Sequence, residues 1–174
     1  MPRFEISAEK FVDYNNDFAS NIHFNRDGAR PLILNPTQSR QLFMSLETID
    51  EDADLCFKGL SADDKQEFSH HLGWGCFLTV LKYKEQKYYD IRRWWMPPGS
   101  DKPTPTRTGI RLNRNEVDKL ICFQTDLYVA VPEIANVEPC HCFTGMNFLK
   151  CERCTAPWLL SNKFWMKCEI EQQQ

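Results

Sequence analysis

Apolar positions in this chain alternate at two places and then pass, through an Asn, to helical spacing. Leu32-Ile33-Leu34 ends at Asn35, and Ile110-Arg111-Leu112 ends at Asn113. An Asn at this point caps a helix by accepting from its free first-turn amides, and Gln38 and Glu116, three residues on, complete a capping box in each case. Pro36 adds the residue favoured at the first helical position. Beyond each Asn, offsets of 7, 8 and 14 hold Leu42, Phe43 and Ile49 in one copy and Leu120, Ile121 and Leu127 in the other. Those offsets share one helical face, so both segments predict a helix with an apolar stripe to bury. Offset 11 is Leu46 in the first copy and Gln124 in the second, a less apolar stripe.

Strand-like sequence lies upstream of each junction. Within 75–96, CFLTVLKY and KYYDIRRWWM are rich in β-branched and aromatic residues and are joined by Lys84-Glu85-Gln86, which predicts a hairpin. The first copy offers RFEISAEKFVDY, then ASNIHF, then Arg26-Asp27-Gly28 as a turn. The two junctions stand 78 residues apart, from Asn35 to Asn113, which suggests two copies of one sheet-plus-helix unit. The predicted class is α+β. Residues 1–57 form a degenerate unit, 58–73 a linker with a helix start at Ser61-Ala62-Asp63-Asp64, 74–131 the second unit, and 132–174 a Cys-rich tail.

Charge adds an asymmetry to this plan. The net charge is -3, yet Lys and Arg against Asp and Glu number 7 to 13 over residues 1–81, 10 to 5 over 82–119, and 4 to 6 over 120–174. A basic segment in an acidic chain can hold phosphates, because screening over about 8 Å makes near charges count most. Arg92, Arg93, Trp94 and Trp95 combine cations with aromatic faces, which stack on unpaired bases without reading sequence. Strict alternation pairs Arg92 with Trp94 and Arg93 with Trp95. Lys82, Tyr83, Lys84 and Lys87 flank the hairpin tip, and Lys102 and Arg107 lie in the following loop; all are candidate contacts to a flexible single strand.

Four of the eight cysteines are bunched as Cys140-His141-Cys142 and Cys151-Glu152-Arg153-Cys154. Two turns that each present a thiolate pair suit one tetrahedral zinc, whose role is structural because four thiolates leave no open position for water. His141 or Cys168 could replace one ligand; a disulfide or plain reduced thiols are the alternatives. His70-His71 does not suit a shared metal, since adjacent side chains diverge. No apolar run approaches the roughly 20 residues of a membrane span, and MPRFEISAEKF lacks a signal peptide's apolar stretch, so the expectation is an intracellular protein. No phosphate-cradling Gly loop, nucleophile elbow, H-E-x-x-H motif or supported carboxylate pair is present, which argues against an enzyme.

Asp90-Ile91-Arg92, Trp95-Met96, the Pro/Gly turn, Lys102-Pro103, Arg107 with Gly109-Ile110, Leu112-Asn113 and Lys119-Leu120 together resemble the positive cofactor four family of transcriptional coactivators, which bind single-stranded DNA. The resemblance implies a curved four-stranded antiparallel sheet followed by one helix, dimerising through its helices. Two copies in one chain would then make an intramolecular pseudo-dimer, with further homo-oligomerisation left open. The family pattern picks Arg92 and Trp95 together, which demands a twist or bulge at the strand end. It also sets Trp74 and Cys76 on the second unit's first strand and Asn21-Ile22-His23 in place of Asp-Ile-Arg in the first unit. The expected function is binding of single-stranded or melted DNA with weak sequence preference in transcription, with RNA as a subsidiary ligand and transcription-machinery proteins as partners. The expected place is the nucleus, or a viral replication site if the source is viral. The alternative is a protein-interaction adaptor using the tail and the acidic first unit, which suits the pI of about 5.8.

Overall fold

The computed structural model describes residues 3–15, 20–61, 63–95, 97–100 and 103–138. The first sheet contains β1 (Arg3–Glu5), β2 (Lys10–Asn15), β3 (Asn21–Arg26) and β4 (Leu32–Leu34), followed by α1 (Pro36–Phe57). The second contains β5 (Gln66–Gly73), β6 (Cys76–Tyr83), β7 (Gln86–Trp95) and β8 (Thr104–Leu112), followed by α2 (Arg114–Cys122), α3 (Gln124–Ala130) and α4 (Pro132–Asn136). Each sheet is antiparallel with its strands in chain order, so the fold is α+β with two four-stranded sheets.

Both capping boxes form. Asn35 Oδ1 accepts from the Gln38 amide at 2.8 Å, and Asn113 Oδ1 accepts from the Glu116 amide at 2.9 Å. The same two residues then reach across to the other sheet. Gln38 Nε2 donates to the Gly73 carbonyl at 2.9 Å, and Glu116 accepts from Lys10 Nζ at 3.0 Å. Burial acts to raise the Glu116 carboxyl, but the Asn113 amide and the Lys10 ammonium outweigh it and hold it below its ordinary value.

The core is continuous across both halves. Phe24, Leu34, Phe43 and Ile49 belong to the same buried cluster as Leu78, Ile91, Val117 and Leu127. α1 lies across β5 and β6 of the second sheet and contacts α4. Asp50, about two-thirds of the way along α1, accepts from Tyr89 Oη at 2.6 Å, pairs with Arg114 and lies 3.4 Å from Lys87. Burial first, then the hydrogen bond to Asp50, pushes the Tyr89 hydroxyl up to about 12.

Several sequence expectations are corrected. Residues 66–73, assigned to the linker, are β5, because Phe68 and Leu72 are buried on its inner side, where His70 between them pairs with Asp52 of α1, and the strand pairs with β6 along its length. Ser61 and Asp64 form a turn closed by the Ser61 amide on Asp64 Oδ2 at 2.8 Å, not a helix start. Trp74 is therefore a turn residue between β5 and β6, not part of the unit's first strand. The helix expected after Asn113 breaks at Phe123, whose amide is shared between the Lys119 and Leu120 carbonyls and whose ring lies 5.4 Å from that of Phe4. Asn21-Ile22-His23 does not stand where Asp90-Ile91-Arg92 does. Phe24 pairs with Leu32 as Ile91 pairs with Ile110, so His23-Phe24-Asn25 occupies those positions. Phe24 and Leu32 are eight residues apart and Ile91 and Ile110 nineteen, so the second hairpin is the longer one.

Candidate nucleic-acid interface

Strand pairing divides the second sheet into two faces. Phe68, Val80, Tyr89 and Leu112 form one cross-strand row, and with Leu78, Ile91 and Ile110 they are buried on the side of α1. The opposite face carries the row Ser69, Thr79, Asp90 and Arg111 and the row His71, Phe77, Arg92 and Gly109.

Arg92 is fixed on this outer face. Its Nε and Nη2 donate to the two Asp90 carboxylate oxygens at 2.8 and 2.9 Å, and its Nη1 donates to the Thr106 carbonyl at 2.7 Å. The Asp90 hydrogen bonds outweigh burial and hold the guanidinium above its ordinary value. Gly109 makes the placement possible: a Cβ there would lie 2.8 Å from Arg92 Cζ and 2.8 Å from the Ile91 carbonyl oxygen.

Beyond Arg92 the register shifts, because Arg92 opposes Gly109 while Trp94 opposes Pro105. Three residues of β8 thus face one residue of β7, which is a bulge. Thr106 stitches it, donating through Oγ1 to the Arg93 carbonyl at 2.8 Å and accepting there from the Thr108 amide at 3.2 Å. Arg107 sits in the bulge and is exposed.

Aromatic side chains gather beside Arg92. Trp94 meets Phe77 edge-on with ring centroids 6.4 Å apart, and His71 lies 4.7 Å from Phe77. His71 Nε2 accepts from the Gly75 amide at 3.4 Å, and burial pushes its pKa down to about 3, so the ring is neutral. Trp74 and Gly75 form the adjacent two-residue turn with φ of 50° and 74°, the geometry of a type I′ hairpin. Trp74 is 51% exposed and Trp95 48%. Two large apolar rings held half in water beside fixed guanidinium groups suit stacking on unpaired bases.

The ten sequence-derived candidates do not form one cluster. Arg92, Trp94, Trp95 and Arg107 stand together at the β7 end of the sheet. Lys82, Tyr83 and Lys84 stand at the far end of β6, which at eight residues is about 24 Å long. The hairpin loop there is two residues, Lys84 and Glu85, with φ of 47° and 65°, and not three. Tyr83 is exposed with Lys84 Nζ 5.2 Å from its ring centre, and Lys82 lies 3.5 Å from Glu85.

Lys87 belongs to neither group. Its side chain turns to α1 and pairs with Asp54 at 2.7 Å and Asp50 at 3.4 Å. Burial acts to lower its pKa, but those carboxylates raise it above the ordinary value, so this lysine holds the helix. Arg93 also leaves the outer face, donating from Nη2 to the Ile33 carbonyl of the first sheet at 2.7 Å. Lys102 and the cysteines Cys140, Cys142, Cys151 and Cys154 lie outside the described residues. Among the described residues no group of three metal-binding side chains occurs.

Arg26 and Arg30 were not anticipated as site residues. They border the β3–β4 turn and, with Arg92 and Arg107, line a cleft of about 600 Å³ between the first sheet and β8. The turn residues Arg26-Asp27-Gly28 were visible in the sequence, but nothing local announced that the turn meets β8.

Residues 70–122 match the family model described as Transcriptional Coactivator p15 (PC4). The match covers β6, β7, β8 and α2 with the last turn-side residues of β5, and so contains Arg92, the aromatic group and the bulge. No curated protein and no solved structure gives a match to the chain.

Proposed function

We propose that this chain binds single-stranded or melted DNA through the outer face of its second sheet and acts as a transcriptional coactivator. The observation that carries this is the placement of half-exposed Trp74 and Trp95 at the end of the sheet where Arg92 is locked on Asp90 and Thr106, all inside the matched segment. Stacking on aromatic rings contributes about 1–3 kcal/mol per base and tolerates any base, so sequence preference is weak. RNA is a subsidiary ligand in this reading, since nothing in the sequence reports on recognition of a 2′-hydroxyl.

The two sheets, each ending in an Asn-capped helix, are read as an internal duplication that packs as a pseudo-dimer. In the first unit the equivalents of Asp90 and Arg92 are His23 and Asn25, and Arg3 lies 3.7 Å over the Phe11 ring. Among the described residues, that half therefore lacks the Asp90 and Arg92 pair that fixes a guanidinium in the second unit. The role is one of binding and recruitment, not of catalysis, and places the protein in the nucleus or wherever transcription occurs. Among the described residues no helix is long and apolar enough to cross a membrane. The spacing of Cys140, Cys142, Cys151 and Cys154 supports a structural zinc; metal analysis of the purified chain should give one zinc, lost when Cys151 and Cys154 are both changed to Ser.

The function is tested by fluorescence anisotropy with a labelled thymidine oligonucleotide. The double variant Arg92→Ala/Trp95→Ala should lose binding while remaining folded. Undiminished binding by that folded variant would remove the outer face from the interaction.

A further inference from the structure

The cleft between the two halves has a charge pattern of its own. Arg26 and Arg30 come from the first sheet's β3–β4 turn, and Arg92 and Arg107 from the second sheet. Arg92 is neutralised by Asp90, but among the described residues Arg26, Arg30 and Arg107 form no ion pair with any carboxylate. Three unpaired guanidinium groups converging on one concavity repel each other and are stabilised when an anion occupies it. The cleft volume of about 600 Å³ exceeds what a single small ion needs and falls in the range of roughly 300–1,000 Å³ typical of ligand clefts.

Two backbone devices aim these groups. The β8 bulge carries Arg107 out of the ladder, and Gly28, at φ +72°, turns the chain sharply between Arg26 and Arg30 so that both border the cleft. Arg92 bridges the cleft and the aromatic group, since it lines the first and shares a face with Phe77.

We infer that this cleft seats the sugar-phosphate backbone of the bound strand, with the first unit supplying Arg26 and Arg30 as phosphate ligands. The strand then runs from the β3–β4 turn, past Arg107 and Arg92, to Trp94, Trp95 and Trp74, where its bases stack. The first half of the chain is part of the binding surface, and one chain takes one strand. This rests on the proposed single-strand binding and adds where the phosphates lie. Guanidinium suits the task because its planar fork grips phosphate oxygens in pairs.

The test uses the full chain and a labelled thymidine oligonucleotide, with affinity measured by anisotropy across a NaCl series. Arg26→Ser/Arg30→Ser removes two exposed turn charges, and Lys58→Ser/Lys65→Ser removes two exposed charges elsewhere. Each phosphate contact to a single strand contributes a slope of about -0.7 in log K against log salt, so the arginine variant should flatten the slope by about 1.4. The lysine variant should leave it unchanged, and Arg107→Ser should flatten it by about 0.7. If the arginine variant keeps the wild-type slope while Trp95→Ala loses affinity, the cleft proposal is overturned and single-strand binding stands. If neither variant changes binding, both are overturned.

Discussion

Gly109→Ala is a small change with a large expected effect. The added Cβ would sit 2.8 Å from Arg92 Cζ, 2.8 Å from the Ile91 carbonyl oxygen and 2.9 Å from Arg92 Cβ. Ordinary contacts begin near 3.5 Å, so the shortfall is about 0.7 Å. A swing of the guanidinium relieves only the first contact. The other two atoms belong to or adjoin the β7 backbone, so β7 and β8 must separate locally. Overpacking of this kind costs about 1–3 kcal/mol. Displacing Arg92 also weakens its bonds to Asp90 and Thr106, charge-assisted bonds worth about 1.5–3 kcal/mol each, partly restored by water. A total destabilisation of about 3 kcal/mol is expected in urea unfolding, with at least a tenfold weaker grip on a single strand as Arg92 leaves its place. Gly59→Ala provides the control: its φ of +86° carries a strain of about 1 kcal/mol, but no atom lies within 4 Å of the added Cβ. If Gly109→Ala is no less stable than Gly59→Ala and binds a single strand as the wild type does, the placement of Arg92 against Gly109 is refuted.

Other outcomes follow from the same geometry. Lys87→Ala should lower stability by about 1 kcal/mol through its lost pair with Asp54, while leaving single-strand affinity within twofold; weaker binding at unchanged stability would return Lys87 to the binding surface. His71 titrates near 3 in the folded chain and near 6.5 when unfolded, so between those values only the unfolded state takes up its proton. Stability from this group is complete above pH 6.5 and falls as pH drops toward 3, by at most about 1.4 kcal/mol per pH unit. Between pH 7 and 5 the wild type should lose about 2 kcal/mol more than His71→Gln in urea melts, and equal losses would contradict a buried neutral ring.

Local signals were legible in the sequence and distant ones were not. Asn35 with Gln38 and Asn113 with Glu116 announced both helix starts, because a capping box is closed within three residues. The stripe Leu42, Phe43 and Ile49 is buried as its spacing requires. The Arg92 and Trp94 pairing followed from alternation alone, whereas the bulge lies on β8, where it holds Arg107 and leaves the alternation along β7 unbroken, so it does not bring Trp95 onto the face of Arg92. The strand β5 escaped notice because its outer residues Glu67, Ser69 and His71 are polar or ionisable, and because His70 on its inner side pairs with Asp52 at 3.0 Å. Lys87 read as a free cation because its partners, Asp50 and Asp54, come from a helix more than thirty residues earlier. Arg26 and Arg30 were passed over for a related reason: their value depends on β8, brought to them only by the packing of one half on the other.

The most direct measurement is a competition at moderate salt in which the full chain, bound to a labelled single-stranded oligonucleotide, is challenged with equal concentrations of unlabelled single-stranded DNA, duplex DNA and RNA. Half-exposed stacking rings beside fixed arginines predict displacement by single-stranded DNA at a concentration at least tenfold below that needed with duplex. Equal displacement by single strand and duplex would contradict it, because a duplex offers the same phosphates but no open bases.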